Sequence, residues 1–353
     1  MLKRFKLIFF FIPYHHIGGA ERVHLNIIKT LHNKPIVFFN NAKKESISSE
    51  FRNHAHCFRV ASRRQKKIAV NFVRISSVFF EVIAFGSNSN LFYKLVSKLR
   101  LKLKVKIIDL THAFSFPELG MEQTSLPFID LIDKRIVINK KTKEDYKKLY
   151  LKHNISLEFL DRFIVIPNGI IIGEFDEKEI DVRFKNFTIG FVGRNSKEKR
   201  PEIFFDILRE TGSKGKVIGD HFDNFKTSFS DIEYFENCNN PKQVREHFSR
   251  ISLLIVSSSR EGFPLVIMEA MELGIPVIAT DVGSISDHVK NNFNGFIGPV
   301  KSELFITFSK NCINNLIGDY KLYRSLAVNA RNYAEAHFDI EKFNSNYREL
   351  FYE

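Results

Sequence analysis

Short apolar runs alternate with amphipathic stretches along both halves of this chain. ISLLIV at 251–256 and IPVIAT at 275–280 are two of the apolar runs, and LVIMEAMEL at 265–273 separates them. Strands that are apolar almost throughout are typical of a parallel sheet covered by helices on both faces. At 353 residues with 44% hydrophobic content, the chain is long enough for two such domains. We therefore predict an α/β fold with two domains, each with a parallel sheet flanked by helices.

The predicted boundary between the two domains lies in a polar, turn-rich segment. Residues 168–184 read NGIIIGEFDEKEIDVRF and separate two apolar runs of the strand type. This division gives an N-terminal domain at 1–170 and a C-terminal domain at 171–338. Residues 339–353 form a predicted final helix.

The segment 257–289 carries the clearest functional pattern. Pro264 suits the first position of a helix because its ring fixes φ and it has no N–H, and Gly274 suits the left-handed residue that closes a helix. Glu261 is then predicted in the loop before this helix, and Glu269 on the helix itself. The loop follows a predicted buried strand, and ligands bind at the carboxyl ends of strands in open α/β sheets.

The predicted start of this helix suits a phosphate. The N–H groups of Leu265 and Val266 have no acceptor within a helix and lie at the positive end of its dipole. Glu269 lies about 7–8 Å along the helix from Pro264, so a ribose attached to that phosphate falls within its reach. The alternative to a nucleotide site is a surface helix on which Glu261 and Glu269 are simply solvated. The predicted nucleotide-binding residues of this segment are Gly262, Phe263, Pro264, Leu265, Val266 and Glu269.

The run from Glu261 to Gly283 resembles the E-x7-E segment of retaining glycosyltransferases of family four, which have the GT-B architecture. The resemblance implies two Rossmann-like domains that face each other across a cleft, with a nucleotide-sugar held mainly by the C-terminal one. It also implies that Glu261 holds the hydroxyls of the donor sugar and that Glu269 holds the ribose. In this family the final helix crosses back to the N-terminal domain.

Other segments resemble the same family in the same order. GGAER at 18–22 is similar to a loop that packs against the donor diphosphate, which makes Gly18 and Gly19 candidate ligands through their backbone. His112 follows the predicted strand IIDLT, where the family has a histidine that positions the donor sugar. Each signal is weak alone, because two glycines can make an ordinary turn and a lone histidine is as often structural.

FTIGFVGRNSKEKR at 187–200 resembles the strand and loop that supply two cations to the diphosphate. These cations are Arg194 and Lys199, and we expect Lys197 and Arg200 to be their solvated neighbours. The chain contains no D-x-D, which is the arrangement with which the other large glycosyltransferase fold holds a divalent metal. We therefore expect catalysis with no metal and no cofactor, in which cations and backbone N–H groups stabilise the leaving diphosphate.

Positive charge is concentrated in the N-terminal half. The net charge is +13, and between residues 59 and 106 one acid, Glu81, stands against twelve basic residues. These are Arg59, Arg63, Arg64, Lys66, Lys67, Arg74, Lys94, Lys98, Arg100, Lys102, Lys104 and Lys106. A charged run of this kind can form a solvated face or a nucleic-acid site. Because RRQKKIAVNFVRI and NLFYKLVSKLRL also carry apolar residues at helical spacing, we predict helices on an anionic membrane surface, and no nucleic acid.

Cysteine use and hydropathy indicate the compartment. Cys57, Cys238 and Cys312 are scattered without metal-ligand spacing, which fits a reducing cytoplasm. The apolar stretch near the N-terminus is short and lacks a cleavage site, so we expect no signal peptide. No run reaches the roughly 20 apolar residues of a spanning helix. We therefore predict a cytoplasmic protein, peripheral at the inner face of the cell membrane.

The resemblance implies that a hexosyl group is transferred with retention from a nucleotide-sugar, with UDP-sugar as the first choice. The implied acceptor is a lipid-linked sugar, a lipopolysaccharide or another polysaccharide. Two alternatives stay open: a phosphorylase, epimerase or sugar-phosphate synthase with a soluble acceptor, and a non-catalytic nucleotide-sugar-binding protein. Between residues 213 and 250 no base-binding pattern is recognisable, so the sequence leaves the base open.

Overall fold

The computed structural model describes residues 6–14, 18–40, 47–98, 105–114, 120–226, 229, 232–236 and 241–353. The chain forms two compact units, residues 1–167 with 341–353 and residues 168–340. The divisions predicted from the sequence lie at 170 and 338. Among the residues named above, Arg100, Lys102, Lys104 and Cys238 lie outside the described residues.

The first unit is built on a parallel sheet, with seven strands in the described part of the chain. They are β1 Lys6–Ile12, β2 Ile36–Phe39, β3 His56–Arg59, β4 Glu81–Ser87, β5 Val105–Thr111, β6 Lys134–Val137 and β7 Phe163–Val165. Their order is β3-β2-β1-β4-β5-β6-β7. β1 lies inside the sheet, with Phe9 paired to Ile36 on one side and to Ala84 on the other. The continuous apolar run of β1 follows from this position, because both of its faces are buried.

Helices connect these strands. They are α1 Gly19–Lys29, α2 Ser49–His54, α3 Arg63–Phe79, α4 Asn90–Lys98, α5 Met121–Thr124 and α6 Lys140–Lys152, with 3-10 segments at Leu126–Leu131 and Leu157–Arg162. α3 begins with a capping box, in which Ser62 Oγ accepts from the backbone N–H of Gln65 and the Gln65 side chain accepts from that of Ser62. The start of α3 is therefore fixed by local hydrogen bonds.

The apolar face of α4 belongs to the core of the first unit. Leu91, Phe92 and Val96 are buried, whereas Lys94 and Lys98 are exposed. The prediction that apolar residues of this helix face a membrane is therefore wrong. Helical spacing alone does not say which side of a basic, amphipathic helix is already covered by the sheet.

The second unit is also a parallel α/β structure, with six strands in its described part. They are β8 Thr188–Val192, β9 Lys214–Ile218, β10 Glu233–Phe235, β11 Leu253–Val256, β12 Val277–Thr280 and β13 Gly295–Gly298, in the order β10-β9-β8-β11-β12-β13. Its helices are α7 Lys178–Lys185, α8 Pro201–Thr211, α9 Asp223–Lys226, α10 Pro241–Ser249, α11 Leu265–Glu272, α12 Ile285–His288, α13 Ser302–Gly318 and α14 Tyr320–His337. The prediction of two Rossmann-like domains with parallel sheets is confirmed.

The last helix, α15 (Ile340–Tyr352), packs on the first unit. Lys6 and Lys106 donate hydrogen bonds from Nζ to the carbonyl oxygens of Phe351 (3.1 Å) and Leu350 (3.0 Å). The two ammonium groups thus satisfy carbonyls that a helix leaves open at its C-terminus, at the negative end of its dipole. Lys106, which the sequence groups with the membrane-facing cations, is a structural residue.

Candidate active site

The loop at residues 257–264 joins β11 to α11, and residues at the end of β12 and just after it hold the loop from one side. Thr280 Oγ1 donates to the carbonyl oxygen of Ser258 at 2.6 Å, and Ser284 donates to that of Gly262 from its backbone N–H (2.9 Å) and from Oγ (3.0 Å). Gly283 has φ +61°, and a Cβ there would lie 2.2 Å from the carbonyl oxygen of Glu261. The close approach requires glycine, and the loop is shaped before any ligand binds.

Arg200 holds the same loop from the other side. Its guanidinium donates to the carbonyl oxygens of Ser257 (2.6 Å), Ser258 (3.3 Å) and Val300 (2.7 Å). The prediction that Arg200 is a solvated neighbour is wrong, because its side chain crosses to carbonyls that are distant in sequence. Lys197 is exposed, as expected.

Glu261 and Lys199 form the centre of the site. Lys199 Nζ lies 2.5 Å from Glu261 Oε1, and Ser258 Oγ donates to the same oxygen at 2.7 Å. The side chains of Lys199 and Glu261 are 22% and 12% exposed. Two residues that are 62 positions apart in sequence are thus brought together where solvent still reaches both.

Arg194, the second predicted cation, is not held in this cluster. Its side chain is 63% exposed, and it lies 3.8 Å from Glu198 in an open ion pair. Long exposed side chains keep several rotamers. Its assignment to the diphosphate therefore stays a prediction that needs the side chain to reorient.

The start of α11 differs from the prediction by one residue. Pro264 has φ −76° and ψ 134°, so it is the N-cap, and Leu265 is the first helical residue. The carbonyl of Pro264 accepts from the N–H of Ile267 at 3.1 Å, which leaves the N–H groups of Leu265 and Val266 without an acceptor inside the helix. Gly274 has φ +63°, which confirms its predicted left-handed conformation after the helix.

Phe263 and Glu269 occupy different surroundings. The ring of Phe263 is 7% exposed and lies 4.2 Å from the ring of His288 and 5.4 Å from that of Phe338. Only the backbone of Phe263 is therefore placed to meet a ligand. Glu269 is partly buried on α11. Its role as a ribose ligand remains a prediction.

In the first unit, the two predicted glycines begin α1. Gly18 is its N-cap, with φ −110°, and Gly19 is its first residue. A Cβ on Gly18 would lie 2.7 Å from Glu21 Oε2, whereas a Cβ on Gly19 would meet no described atom within 4 Å. The atom nearest to a Cβ at 18 is the movable end of a glutamate side chain, so packing among the described residues gives no strong reason for glycine at either position. A group that is bound against the backbone would give such a reason.

His112 lies directly after β5 and contacts a residue that the sequence alone did not single out. Its Nε2 lies 3.0 Å from Nε2 of His24, which is on α1 and 1% exposed. Burial lowers the pKa of His112 to about 4, and burial together with His112 lowers the pKa of His24 well below its usual value. Both rings are therefore neutral near pH 7. A histidine among the buried positions of an amphipathic helix was the signal in the sequence.

A second charged cluster, at the other end of α11, was also missed. Glu272 is 1% exposed and accepts hydrogen bonds from Arg245, from Arg331 and from the backbone N–H of Gly173 (2.9 Å). Cζ of the Arg331 guanidinium lies 5.1 Å from the centre of the Phe175 ring. All five residues belong to the second unit, and their contacts with one another identify this cluster as structural.

Metal ligation and membrane spanning find no support in the part of the chain that the structure describes. Those residues contain no group of three or more His, Cys, Asp or Glu side chains placed to hold a metal ion. No described helix combines the length and the hydropathy that crossing a membrane requires.

The chain is similar to known glycosyltransferases in sequence and in fold. Residues 174–333 match the family model of group 1 glycosyl transferases. The chain superposes on a crystal structure of Anabaena Alr3699/HepE in complex with UDP, with a TM-score of 0.78 and 19% identity. The superposition covers 98% of this chain and 99% of the other. The apo form of the lipopolysaccharide outer core galactosyltransferase WaaB has a TM-score of 0.70 and 20% identity over the same shares of the two chains.

Sequence relatives agree with the structural neighbours. An uncharacterised glycosyltransferase of Methanocaldococcus jannaschii, MJ1178, is 29% identical over 58% of this chain and 57% of its own length. The capsular polysaccharide biosynthesis glycosyltransferase CapM of Staphylococcus aureus is 29% identical over 48% of this chain and 49% of its own. The O-antigen biosynthesis glycosyltransferase WbnH of Escherichia coli is 24% identical over 76% of this chain and 75% of its own. The chain therefore spans about half the length of the first two relatives.

The fold is the two-domain GT-B fold. Residues 174–333, which match the family model of group 1 glycosyl transferases, carry Glu261 and Lys199.

Proposed function

We propose that this protein is a retaining glycosyltransferase that moves a sugar from a nucleotide-sugar to a hydroxyl of a lipid-linked sugar or polysaccharide. The proposal rests on the ion pair between Lys199 and Glu261, of which Glu261 lies in the loop before α11. Among similar proteins, UDP and UDP-glucose are bound in the Anabaena structures, and WbnH is named for O-antigen biosynthesis. We take UDP-sugars as the first donors to test.

The donor diphosphate displaces an existing partner in this proposal. Its oxygens bind Lys199 Nζ and the N–H groups of Leu265 and Val266, at the positive end of the α11 dipole. Glu261, released from Lys199, accepts hydrogen bonds from hydroxyls of the sugar, and Glu269 accepts them from the ribose. A phosphate competes well for this lysine because the ion pair is only partly shielded from water.

The chemical step needs no side chain as nucleophile. The acceptor oxygen attacks the anomeric carbon from the face on which the diphosphate leaves, a departing phosphate oxygen takes the acceptor proton, and the bond from that carbon to the diphosphate breaks. Negative charge grows on the diphosphate, where Lys199 and, after reorientation, Arg194 stabilise it. His112 positions the sugar.

We further propose that the step is independent of a divalent metal, because these cations and N–H groups meet the charge of the diphosphate. The test compares product formation in EDTA with product formation in Mg²⁺ or Mn²⁺. Equal rates are expected. Loss of most activity in EDTA and its return with either metal would contradict this part of the proposal.

The donor is tested first without an acceptor, since glycosyltransferases of this kind are expected to hydrolyse their donor slowly. The protein is incubated with UDP-glucose, UDP-galactose and GDP-mannose, and the released nucleoside diphosphate is measured by chromatography. Release from one donor, lost in Glu261→Gln and kept in Lys197→Ala, supports the proposal. Equal release by wild type and Glu261→Gln would overturn it.

We propose that α3 docks the protein on an anionic membrane. Its exposed side carries a stripe of four large apolar residues at spacings of four, three and four, which places them on one face. They are Ile68, Phe72, Ile75 and Phe79, each between 45% and 74% exposed. The opposite face packs in the core through Ala69, Val70 and Val73.

Charge next to the stripe favours a membrane as the occupant. Arg64 lies one turn before Ile68 on the same face, and Lys67 and Arg74 lie along its side, all of them exposed. A helix with exposed apolar residues beside cations matches a surface with anionic head groups above an apolar interior. Each cation contributes about 1 kcal/mol near such a surface.

The membrane proposal is tested by sedimentation with liposomes. Wild type should pellet with vesicles that contain phosphatidylglycerol, and less so with neutral vesicles or at high salt. Ile68→Ser with Ile75→Ser should lose this binding, as should Arg63→Ser with Arg64→Ser and Lys67→Ser. The charge-matched control, Lys140→Ser with Lys147→Ser and Lys148→Ser on α6, should still bind. Equal pelleting of all variants, or none by wild type, would contradict the proposal.

A further inference from the structure

The contact between the neutral rings of His24 and His112 restricts which nitrogen of each ring carries a hydrogen. The Nε2 atoms face each other at 3.0 Å, with the ring planes inclined by 63°. One nitrogen must carry the shared hydrogen and the other must accept it, because two bare nitrogens or two N–H groups would repel each other.

The second nitrogen of His24 decides which ring donates. Nδ1 of His24 is buried and has no hydrogen-bond partner among the described residues. A neutral imidazole carries one N–H. If His112 donated, His24 would carry its hydrogen on Nδ1 as a buried N–H with no acceptor among the described residues, and such a donor is rare in folded proteins. If His24 donates from Nε2, its Nδ1 is bare, and only an acceptor is left unpaired.

We infer that His24 is a positioning residue that donates from Nε2 to His112 and thereby fixes His112 as the tautomer with its hydrogen on Nδ1. Nδ1 is the only other polar atom of that ring, so His112 presents a donor and not an acceptor. This inference rests on the proposed function for its ligand, which is a hydroxyl oxygen of the donor sugar. A fixed donor orients that hydroxyl, because the hydroxyl must then accept from the ring and direct its own hydrogen elsewhere.

The position of His24 in the fold agrees with this role. It lies on α1, five residues after Gly19, and its side chain is fully enclosed. A leucine could fill the same space, but it could not form the hydrogen bond to His112. His112, by contrast, is partly exposed at the end of β5. The enclosed ring is thus the support and the partly exposed ring is the group that meets the ligand.

The tautomer is measured directly, without a donor, by long-range ¹H–¹⁵N correlation spectra of the imidazole nitrogens at pH 7. His24→Gln and His112→Gln assign the two rings. The expected result is a protonated Nδ1 in His112 and a protonated Nε2 in His24. A protonated Nε2 in His112, or an averaged mixture of the two tautomers, would overturn the inference whatever the enzyme does.

Kinetics then separate positioning from packing. His24→Leu removes the hydrogen-bond donor and keeps an apolar side chain of similar bulk, whereas His24→Gln keeps an N–H that reaches the same region. Turnover with saturating donor should fall about tenfold in His24→Leu and about twofold in His24→Gln, with the thermal unfolding midpoints of the two variants alike. Equal turnover in the two variants would overturn the role. Absence of any donor turnover in wild type would instead refute the proposed function, and the spectra would still test the tautomer.

Discussion

Two glutamates at opposite ends of α11 form ion pairs that differ in burial and in the number of partners. Glu261, before the helix, has one cation, Lys199, and both side chains are partly exposed, at 12% and 22%. Glu272, in its last turn, has two arginines and a backbone N–H, and its side chain is 2% exposed. The first pair can open when another anion binds, whereas opening the second would leave charges buried without partners.

The backbone of the loop is fixed by bonds that do not involve the ion pair of Lys199 and Glu261. Arg200, Thr280 and Ser284 hold the backbone of the loop through carbonyl oxygens. The side chains of Lys199 and Glu261 take no part in those backbone bonds. In the proposed mechanism a ligand therefore exchanges the ion pair while the loop keeps its shape, and such preorganisation stabilises charge in a transition state.

The largest effect is expected at the buried end. Glu272→Ala removes the buried one of the two carboxylates that pair with Arg331, the other being Glu335, so the second unit should lose about 3–5 kcal/mol of stability. Urea unfolding, followed by circular dichroism, measures this. Glu261→Ala, which breaks the partly exposed pair, should change stability by about 1 kcal/mol or less. Equal losses in the two variants would erase the distinction between the clusters.

At the open end the effect should fall on catalysis. Lys199→Ala should lower turnover at saturating donor by about 10²–10³-fold and lower donor affinity much less, because the cation acts most strongly on charge that grows as the bond breaks. Arg194→Ala should show the same selectivity with a smaller loss, since its side chain is 63% exposed. Initial rates over a range of donor concentrations measure both. Lys197→Ala is the control, and wild-type turnover in Lys199→Ala would refute its assignment.

A smaller loss is expected in the middle of the helix. Glu269→Ala should weaken binding of the free nucleoside diphosphate by about 1.5–3 kcal/mol, because the ribose hydroxyls lose a charged acceptor. Isothermal calorimetry measures the affinity. Unchanged binding by a folded Glu269→Ala protein would rule out the ribose role.

The smallest effect concerns Ser258, which donates to Glu261 Oε1. Ser258→Ala removes one hydrogen bond that orients the carboxylate, and turnover should fall by about twofold to tenfold, equivalent to about 0.5–1.5 kcal/mol. Rate measurements on Ser258→Ala and Ser258→Thr test this, since threonine keeps the hydroxyl. Identical rates in the two variants would show that the hydroxyl has no such role.

The sequence was sufficient where local rules decide the structure. Apolar runs predicted the parallel sheets, and Gly274 was recognised as a left-handed residue because few other residues adopt that conformation. That Glu261 and Lys199 serve one donor site was implied only by family resemblance, and their direct ion pair was not predicted, because the two residues come from different loops.

Contacts between residues that are far apart in the sequence could not be predicted. Arg200 was taken for a solvated residue, since nothing near it in sequence shows that carbonyls of Ser257 and Val300 meet its side chain. Glu272 joins Gly173, which is 99 positions away. The apolar face of α4 and the exposed stripe of α3 have similar patterns in sequence, and only the packing of the sheet separates the buried one from the exposed one.

The central claim is that the loop before α11 and Lys199 bind a nucleotide-sugar. Saturation-transfer NMR with UDP-, GDP-, ADP- and CMP-sugars tests it on wild type, on Lys199→Ala with Glu269→Ala, and on Lys197→Ala. We predict that sugars of one base, with UDP first, show transfer to ribose and sugar protons in wild type and in Lys197→Ala, and that the double variant loses it. Signals of equal strength in all three proteins, or none from any donor in wild type, would contradict the claim.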